Sequence, residues 1–464
     1  MGWDMRENLV KSEEFKDSPL GKIPKDWNYL TINDCLRAGL IVDVQDGNHG
    51  EAHPKTDDFV SEGIPFVMAK DLVNGQINLA DCHKITWHQY QSLRVGFAHP
   101  GDVLLSHKGT IGLTAIVPDW LQHVMLTPQV TYYRLSEGNK LSGKFLFWFF
   151  QSPLFQQRLE VFSAQSTRSY IGITLQKTLS ILVPPFDEQK RIAELLDTID
   201  STIAHTSSLI AKLKQMKAGL LHDLLTRGLD ENGELRDAIG HAEHFKDSPL
   251  GRIPKSWQCD VARAFCNDIV VGVVCSATDS YVKHGVPFLR SQNIRPNSID
   301  TNGLLYISPS FNILQSKSIL HAGDVVIVRT GYPGTAAVVP DELEGANCFS
   351  LIVARPNRTI LSSYFFAQYI NSEGCQASIE RAHFGSAQHN FNIAEMDKLL
   401  IAVPPLTEQT EIVCRIEALD ARIRSEEAYR DKLKLQKQGL MHDLLTGKVR
   451  VKDADKLTPA SDTV

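Results

Sequence analysis

The chain repeats itself: the same sequence blocks occur twice, in the same order, along 464 residues. The segment from Phe15 to Trp27 returns from Phe245 to Trp257, and the two copies differ only at Lys22/Arg252 and Asp26/Ser256. Two further blocks return at an offset of 220, namely 183–189 as 403–409 and 219–226 as 439–446. Such repetition predicts two copies of one unit, related by pseudo-two-fold symmetry, that present two similar surfaces to similar partners.

The composition is that of a globular protein, with 43% hydrophobic and 22% charged residues. The net charge of −6 does not favour a nucleic-acid binder, although a global charge can hide local basic faces. The eight cysteines form no C-x-x-C pair, so they predict reduced thiols in a cytoplasmic protein and no zinc site. The densest apolar run, from Phe145 to Phe150, is too short for a bilayer, so no membrane association is expected.

Two regions of mixed strand and helix character each precede a long helix with a heptad pattern of apolar residues. Pro-Pro stands just before each helix, Asp187 and Thr407 are candidate N-caps, and Gly228 and Gly447 are candidate C-terminal stops. The predicted segments are 1–27, 28–182, 183–227, 228–257, 258–402, 403–447 and 448–464. Matched helices of this length favour an antiparallel spacer with one globular domain at each end over a pair that merely packs two domains together.

The sequence offers no catalytic or metal-binding constellation. A phosphate-binding loop of the form G-x-x-x-x-G-K-[ST] and an H-E-x-x-H motif are both missing from it. Val183-Pro-Pro-Phe resembles the Asn/Asp-Pro-Pro-Phe/Tyr motif of adenine-N6 methyltransferases, but valine cannot hydrogen-bond the target amino group, so Pro-Pro is interpreted as a helix start. His222 and Asp223 are adjacent on a helix and point about 100° apart, which argues against an acid/base pair.

Polar loop residues cluster in corresponding places of both copies, and we predict that they bind DNA. Arg and Lys can pair with guanine, Asn and Gln with adenine, and Ser and Thr can hold phosphates. The candidates in the first copy are Asp46, Asn48, His49, Lys55, Lys70, His107, Lys108, Thr110, Thr167, Arg168 and Tyr170. Those in the second copy are Arg290, Gln292, Asn293, Arg329, Tyr332, Gln388, His389 and Asn390.

Three repeated motifs together resemble the specificity (S) subunit of Type I restriction-modification systems, the HsdS family. They are Pro-Leu-Gly-x-Ile-Pro-x-x-Trp, Val-Pro-Pro-x-x-Glu-Gln at the helix starts, and Gly-Leu-Leu/Met-His-Asp-Leu-Leu-Thr at the helix ends. The resemblance implies an α+β fold with two mixed α/β target-recognition domains, separated by two long antiparallel coiled-coil helices in a pseudo-two-fold internal repeat. Each domain would read one half of a bipartite, asymmetric site in double-stranded DNA, and the helices would set the gap.

The resemblance also implies the partners of the chain. Two methyltransferase (modification) subunits would dock near the helices, and motor/endonuclease (restriction) subunits would add translocation and cleavage. The chain itself would be non-catalytic and would hold no cofactor, with S-adenosylmethionine, ATP and Mg on the partner subunits. Three other interpretations stay open: the specificity subunit of a Type II cleavage–methylation system, a DNA methyltransferase in its own right, and a coiled-coil adaptor without a DNA role.

Overall fold

The computed structural model describes residues 9–12, 14–49, 53–138, 140–164, 170–382 and 390–451. The chain divides into two compact units, and both contain residues from each of the long helices. Unit 1 comprises Met1–Ser207 and Ala428–Val464, and unit 2 comprises Ser208–Glu427.

Unit 1 contains two four-stranded sheets and several two-stranded pairs. The first sheet is antiparallel throughout, in the order Thr114–Ile116, Val103–Ser106, Val130–Leu135 and Ile41–Asp46. The second has the order Phe97–Ala98, Val124–Leu126, Ile64–Val67 and His83–Ile85, with its two central strands parallel. The pairs are Leu9–Lys11 with Val449–Val451, Phe15–Ser18 with Gly21–Pro24, Asn28–Thr31 with Ser180–Val183, and Leu72–Val73 with Gln76–Ile77.

Unit 2 repeats the antiparallel sheet in the same order, and its mixed sheet shares three strands with that of unit 1 but has its fourth strand at the opposite edge. Its antiparallel sheet runs Ala336–Val338, Val325–Val328, Leu351–Pro356 and Cys266–Val271. Its mixed sheet runs Asn347–Cys348, Val286–Leu289, Leu305–Ile307 and Tyr281–Val282. The pairs are Phe245–Ser248 with Gly251–Pro254, Gln258–Val261 with Leu400–Val403, and Ile294–Arg295 with Ser298–Ile299.

Short helices pack against one face of the antiparallel sheet of each unit, and the other face is apolar and buried as well. In unit 1 the aromatic helix Gly143–Gln151 buries Phe145, Trp148 and Phe149 in a core that also contains Trp27. The other short helices of unit 1 are Ile32–Arg37, Trp87–Ser92, Pro153–Ala164 and Ile173–Gln176. Those of unit 2 are Ala262–Phe265, Pro309–Leu314, Ser363–Ile370, Glu373–Ala382 and Ile393–Lys398.

The two long helices span Phe186–Thr226 and Leu406–Leu445. Both start directly after Pro-Pro, which confirms that these prolines mark helix starts. The predicted N-caps were wrong by a short distance, because Asp187 and Thr407 lie inside the first turn. The predicted stops are confirmed: Gly228 (φ 61°) and Gly447 (φ 73°) follow the helix ends in the left-handed conformation that favours glycine.

The repeated Glu-Gln that follows Pro-Pro ties each helix start to its own globular domain. In unit 1 the Trp27 indole donates to Glu188 (3.1 Å), and the Arg450 guanidinium binds both oxygens of the same carboxylate (2.6 and 2.7 Å). Gln189 is fully buried, accepts a hydrogen bond from the Ser142 backbone N–H and donates to the Pro184 carbonyl. These bonds explain the motif as a structural junction between strand and helix.

Unit 2 builds the same junction with an arginine from a different segment. Trp257 donates to Glu408 (3.1 Å), and Arg236 binds both carboxylate oxygens (2.6 and 3.0 Å). Arg450 lies 5 residues after the second long helix (450 − 445), and Arg236 lies 10 residues after the first (236 − 226). An arginine from the segment after a long helix therefore neutralises the buried glutamate in both units, although the two arginines are 214 positions apart and not 220.

Ion pairs between the long helices occur at repeat-equivalent positions. In unit 2, Lys214 pairs with Glu427 (2.6 Å) and Lys217 with Asp420 (2.7 Å), so residue numbers rise along one helix as they fall along the other. In unit 1, Lys437 pairs with Asp200. The offsets 437 − 217 and 420 − 200 are both 220, which is the offset of the repeated blocks.

All eight cysteines are free thiols. No helix in the described ranges has the length and apolar character needed to cross a membrane.

Candidate nucleic-acid interface

Five segments of unit 1 converge where strand Val103–Ser106 of its antiparallel sheet ends. Backbone hydrogen bonds join them: Gly47 N–H donates to the Val130 carbonyl (3.0 Å), and His107 N–H donates to the Gln129 carbonyl (2.9 Å). The His107 carbonyl accepts the Ile171 N–H at 2.9 Å. We call this region the unit 1 edge; it comprises residues 46–49, 67–70, 107–112, 126–130 and 170–171.

Glycines allow this convergence. A Cβ on Gly47 would overlap the Thr127 carbonyl, so only glycine lets the end of strand Ile41–Asp46 come this close to the neighbouring chain. Gly109 and Gly112 have φ values of 79° and 90° and turn the chain back after strand Val103–Ser106. Gly109 and Gly112 are therefore turn residues, and all three glycines shape the edge.

Part of the unit 1 edge is buried and polar. The Asp46 carboxylate accepts a hydrogen bond from the Thr131 hydroxyl (2.6 Å), and Asn48 is buried with its backbone N–H donated to Leu126. His107 is only 1% exposed, and its burial lowers the pKa of the imidazole. These predicted DNA-contacting residues lie behind the surface, where they can shape it but cannot reach a base directly in this conformation.

The outer face of the unit 1 edge carries five further candidates. Lys70, Lys108 and Thr110 are exposed, the His49 side chain is half exposed, and Tyr170 is 40% exposed beside Lys108. Lys55 is also exposed, in the chain that follows His53, and its backbone N–H donates to Asp58. This face combines two lysines with a phenol and an imidazole, which suits phosphate and base-edge contacts.

Unit 2 forms the corresponding edge with backbone hydrogen bonds that match Asn48 to Leu126, Thr127 to Val67 and Ile171 to His107 in unit 1. Val273 N–H donates to the Cys348 carbonyl (2.8 Å), Phe349 N–H to the Leu289 carbonyl (2.8 Å), and Phe391 N–H to the Arg329 carbonyl (2.9 Å). We call this the unit 2 edge; it comprises residues 271–274, 289–293, 328–334, 347–351 and 390–391. Each edge thus lies at the same end of the same sheet.

The unit 2 edge presents a held guanidinium. Arg329 is half-buried, with Nε donating to the Phe391 carbonyl (3.4 Å) and Nη1 donating to the Ser350 hydroxyl (3.3 Å). Tyr332 is 84% exposed at the tip of the following turn, and Gln292 is exposed in the turn that follows strand Val286–Leu289. A guanidinium that is held on one side keeps N–H groups on its other side, and these can donate to two acceptor atoms that lie in one plane.

Two further candidates in unit 2 have different surroundings. Asn293 is buried and has a structural role, because its side chain accepts the Arg290 N–H (3.0 Å) and donates to the Asp300 carbonyl (3.1 Å). Asn390 is half-buried beside Phe391. The remaining four candidates, Thr167, Arg168, Gln388 and His389, lie outside the described residues.

The edges also concentrate buried polar atoms without hydrogen-bond partners. Within the described part of the chain these include Asn48 Nδ2, Thr127 Oγ1 and both ring nitrogens of His107 in unit 1, and Arg290 Nε and Asn390 Oδ1 in unit 2. Such atoms are uncommon in folded proteins and often mark functional sites. The described residues contain no group of three or more His, Cys, Asp or Glu side chains that could hold a metal ion.

Sequence reasoning missed several residues of both edges. Thr127 and Gln129 join segments of the unit 1 edge, and Gly272 and Ser350 do so in unit 2. Gly272 offered a signal, since it follows a strand as Gly47 does and its Cβ would overlap the Cys348 carbonyl. Ser350 offered none, because serine does not by itself indicate the left-handed backbone (φ 53°) that it adopts here.

Comparisons with known proteins identify the family to which the chain is similar. A family model described as Type I restriction modification DNA specificity domain matches residues 24–215 and 274–435. A protein of Methanocaldococcus jannaschii, provisionally named the type I restriction enzyme MjaX specificity subunit, is 26% identical over 96% of this chain and 98% of its own. The type I restriction enzyme EcoKI specificity subunit of Escherichia coli K12 is 26% identical over 86% of this chain and 83% of its own.

Solved structures share the fold. A chain from a structure concerned with complex assembly and conformational transition of the type I R-M system has a TM-score of 0.56 at 17% identity, covering 92% of this chain and 99% of its own. The S subunit of a type I restriction-modification system from M. genitalium has a TM-score of 0.53 at 16% identity, over 92% and 99% of the two chains.

Proposed function

Because this chain belongs to the family of Type I restriction-modification DNA specificity domains, we propose that it is the DNA-reading subunit of a restriction-modification complex. Unit 1 reads one half of a bipartite, asymmetric DNA site through its edge, and unit 2 reads the other half. The chain performs no chemistry itself. It selects the DNA site at which partner subunits methylate or cleave the DNA.

One observation carries this proposal: the two edges share a backbone framework but expose different side chains. The carbonyls of His107 and Arg329 accept equivalent N–H groups at 2.9 Å, and both residues precede a two-glycine turn. Outside this framework, unit 1 exposes Lys70, Lys108 and Tyr170, whereas unit 2 exposes Arg329 and Tyr332. A constant scaffold with variable loops is what reading two different half-sequences requires.

We assign the candidate residues two roles in this proposal. Exposed and half-exposed side chains contact DNA: His49, Lys55, Lys70, Lys108, Thr110, Tyr170, Arg290, Gln292, Arg329, Tyr332 and Asn390. The buried residues Asp46, Asn48, His107 and Asn293 support the surface from behind. Arg329 is the best candidate for direct base reading, because its fixed guanidinium can donate two hydrogen bonds to guanine O6 and N7.

The long helices set the distance between the half-sites in this account. Ion pairs at repeat-equivalent positions, Lys217–Asp420 and Lys437–Asp200, support an antiparallel coiled coil with pseudo-two-fold symmetry. Two methyltransferase subunits would dock near the helices and carry S-adenosylmethionine, and motor/endonuclease subunits would carry ATP and Mg. A base inside the duplex is inaccessible to methylation, so the methyltransferase would flip the target adenine out.

The test is a selection of bound duplexes from a random DNA library by the chain co-expressed with the modification subunit encoded beside it. We expect a two-part consensus in the wild type. Substituting Lys108 and Thr110 together by Ala should relax one part only, and substituting Arg329 and Tyr332 together should relax the other part only. A consensus without two parts, or relaxation of the same part by both double variants, would contradict the proposal.

A further inference from the structure

One backbone position carries opposite chemistry in the two units. Residue 107 directly follows strand Val103–Ser106, and residue 329 directly follows strand Val325–Val328. The carbonyl of each residue accepts a backbone N–H at 2.9 Å. In unit 2 the position holds a half-exposed arginine, which is a permanent cation. In unit 1 it holds a histidine that is 1% exposed. Only unit 1 therefore has a titratable group inside its edge at this position.

Several described residues surround His107. Its Nε2 lies 3.5 Å from Oδ1 of Asp46 without the direction of a hydrogen bond, and neither ring nitrogen has a hydrogen-bond partner among the described residues. The ring packs against Tyr170, with 5.5 Å between ring centroids. The facing titratable groups are Asp46 at the end of strand Ile41–Asp46, His49 after that strand, Lys108 on the same turn as His107, Tyr170, and Tyr133, which also faces Asp46.

The Asp46 carboxylate connects the buried and the exposed parts of the edge. Thr131 fixes it with a hydrogen bond of 2.6 Å, His107 lies on its inner side, and Nε2 of His49 lies 4.0 Å from its other oxygen at the surface. Tyr170 in turn pairs with Lys108 through an isolated β-bridge. A change of charge on His107 therefore acts on both the exposed imidazole and the exposed phenol.

Burial keeps His107 neutral at neutral pH. Desolvation lowers its pKa below the ordinary value of 6.5, and the attraction of Asp46 opposes this only in part. Since the folded chain binds this proton less readily than the unfolded chain, the stability of the edge falls as the pH falls from 6.5 towards the lowered pKa. Protonation places a cation 3.5 Å from Oδ1 of Asp46 and beside the Tyr170 ring.

We propose that Asp46, His107 and Tyr170 form a positioning cluster for the DNA-reading surface of unit 1, and that protonation of His107 weakens recognition of the half-site read by unit 1 and spares the half-site read by unit 2. This inference rests on the proposed function for its DNA part. His107 acts through Tyr170 and His49, so it is a positioning residue that does not touch a base.

The experiment uses the full chain in complex with its co-expressed modification subunits and three duplexes: the selected site, and the same site with the first or the second half scrambled. The affinity ratio between the intact and a half-scrambled duplex measures how well that half is read. We expect the ratio for the unit 1 half to fall about tenfold, the size of one lost base contact, as the pH is lowered stepwise from 7.5 through 6.5 and below, and the other ratio to stay unchanged. His107→Gln should remove this pH dependence, and the exposed His88→Gln, in the same unit, should retain it.

A second variant and a second measurement cover the case in which His107→Gln does not fold. Asp46→Asn removes the group that raises the pKa of His107, so the acidic loss should move to lower pH. Hydrogen exchange, corrected for its intrinsic pH dependence, should rise in acid at the Ile171 amide, which donates to the His107 carbonyl, and stay constant at the Phe391 amide of unit 2.

The outcomes separate the inference from the proposed function. Equal acid sensitivity of both half-sites, or unchanged sensitivity in His107→Gln, would overturn the positioning cluster. A hydrogen-exchange rate at the Ile171 amide that does not change with pH, after the intrinsic correction, would overturn the positioning cluster as well, whether or not the complex binds DNA. Acid-sensitive exchange at Ile171 in a complex that binds no DNA sequence selectively would keep the titrating cluster and overturn its link to base reading together with the proposed function.

Discussion

At the scale of residues, DNA reading depends on which polar side chains lie at the surface and on which neighbouring groups hold them there. Arg329 and His107 occupy equivalent backbone positions, yet one is held at the surface by Ser350 and the other is enclosed beside Asp46. The sequence predicted both as candidates because both follow a strand in a polar loop. It could not predict their burial, which depends on distant segments: Ile171 and Phe391 are each more than 60 residues away along the chain.

Replacing Arg329 by Ala should relax reading of the unit 2 half-site by about 1–3 kcal/mol, because a two-donor contact to guanine is lost. The measurement is the affinity ratio between intact and half-scrambled duplexes. Arg263→Ala is the matched control: Arg263 precedes strand Cys266–Val271, so roughly 20 Å of strand separates it from the unit 2 edge. Equal behaviour of the two variants would remove Arg329 from the set of base-reading residues.

Replacing Arg450 by Ala should destabilise unit 1 by about 3 kcal/mol, because the buried Glu188 carboxylate loses its counter-ion. Denaturant unfolding of the full chain measures this loss. Lys25→Ala in the same unit removes an ion pair with Glu14 whose two side chains are 61% and 71% exposed, so it should change stability by less than about 0.5 kcal/mol. Similar losses in both variants would show that the Trp27–Glu188–Arg450 junction contributes little.

The cysteines give a prediction of reactivity. Burial raises the pKa of Cys35, Cys82, Cys266, Cys348 and Cys375 to about 12, so these thiols stay protonated and enclosed. Cys275 and Cys414 are exposed. Brief treatment of the native chain with iodoacetamide, followed by peptide mass spectrometry, should label the exposed pair and leave the five buried thiols unmodified until the chain is unfolded. Rapid labelling of any of the five would contradict the packing of its unit.

At the scale of elements, the repeated motifs are explained by junctions that they build. Pro-Pro precedes each long helix, and the Glu that follows binds a tryptophan and an arginine. The Gln after it bonds to buried backbone groups; Gln409, for example, accepts the Ser362 N–H. The sequence predicted the helices and their glycine stops well, because heptads, Pro-Pro and Gly are local signals. The arginines of these junctions were not predictable, since Arg236 and Arg450 do not correspond in the repeat.

Lengthening both long helices by one heptad, after Ser207 and after Glu427, should lengthen the gap between the half-sites and keep both half-sequences. Seven helical residues add about 10 Å, which is the rise of about three base pairs. The measurement is the consensus selected from a random library. Replacing seven exposed residues of each helix without a change of length is the control and should leave the gap as it is. An unaltered gap in the lengthened chain would contradict the spacer role of the helices.

At the scale of the whole molecule, the repeat by itself predicts two similar units, and the antiparallel sheets of the two units show the same order of strands. The domain boundaries inferred from the sequence treat each long helix as a separate segment, whereas the compact units divide both helices and share them. Pattern reasoning could not foresee this division, because it depends on which helix residues pack together across more than 200 positions of sequence.

The central claim is that one chain reads two different half-sequences and thereby directs methylation by its partners. The most direct measurement is a map of N6-methyladenine across host DNA after co-expression of the chain with the modification subunit encoded beside it. The account predicts methylation at a single bipartite, asymmetric motif with a gap of fixed length. Methylation at a continuous motif, or no methylation by an assembled complex that binds S-adenosylmethionine, would contradict it.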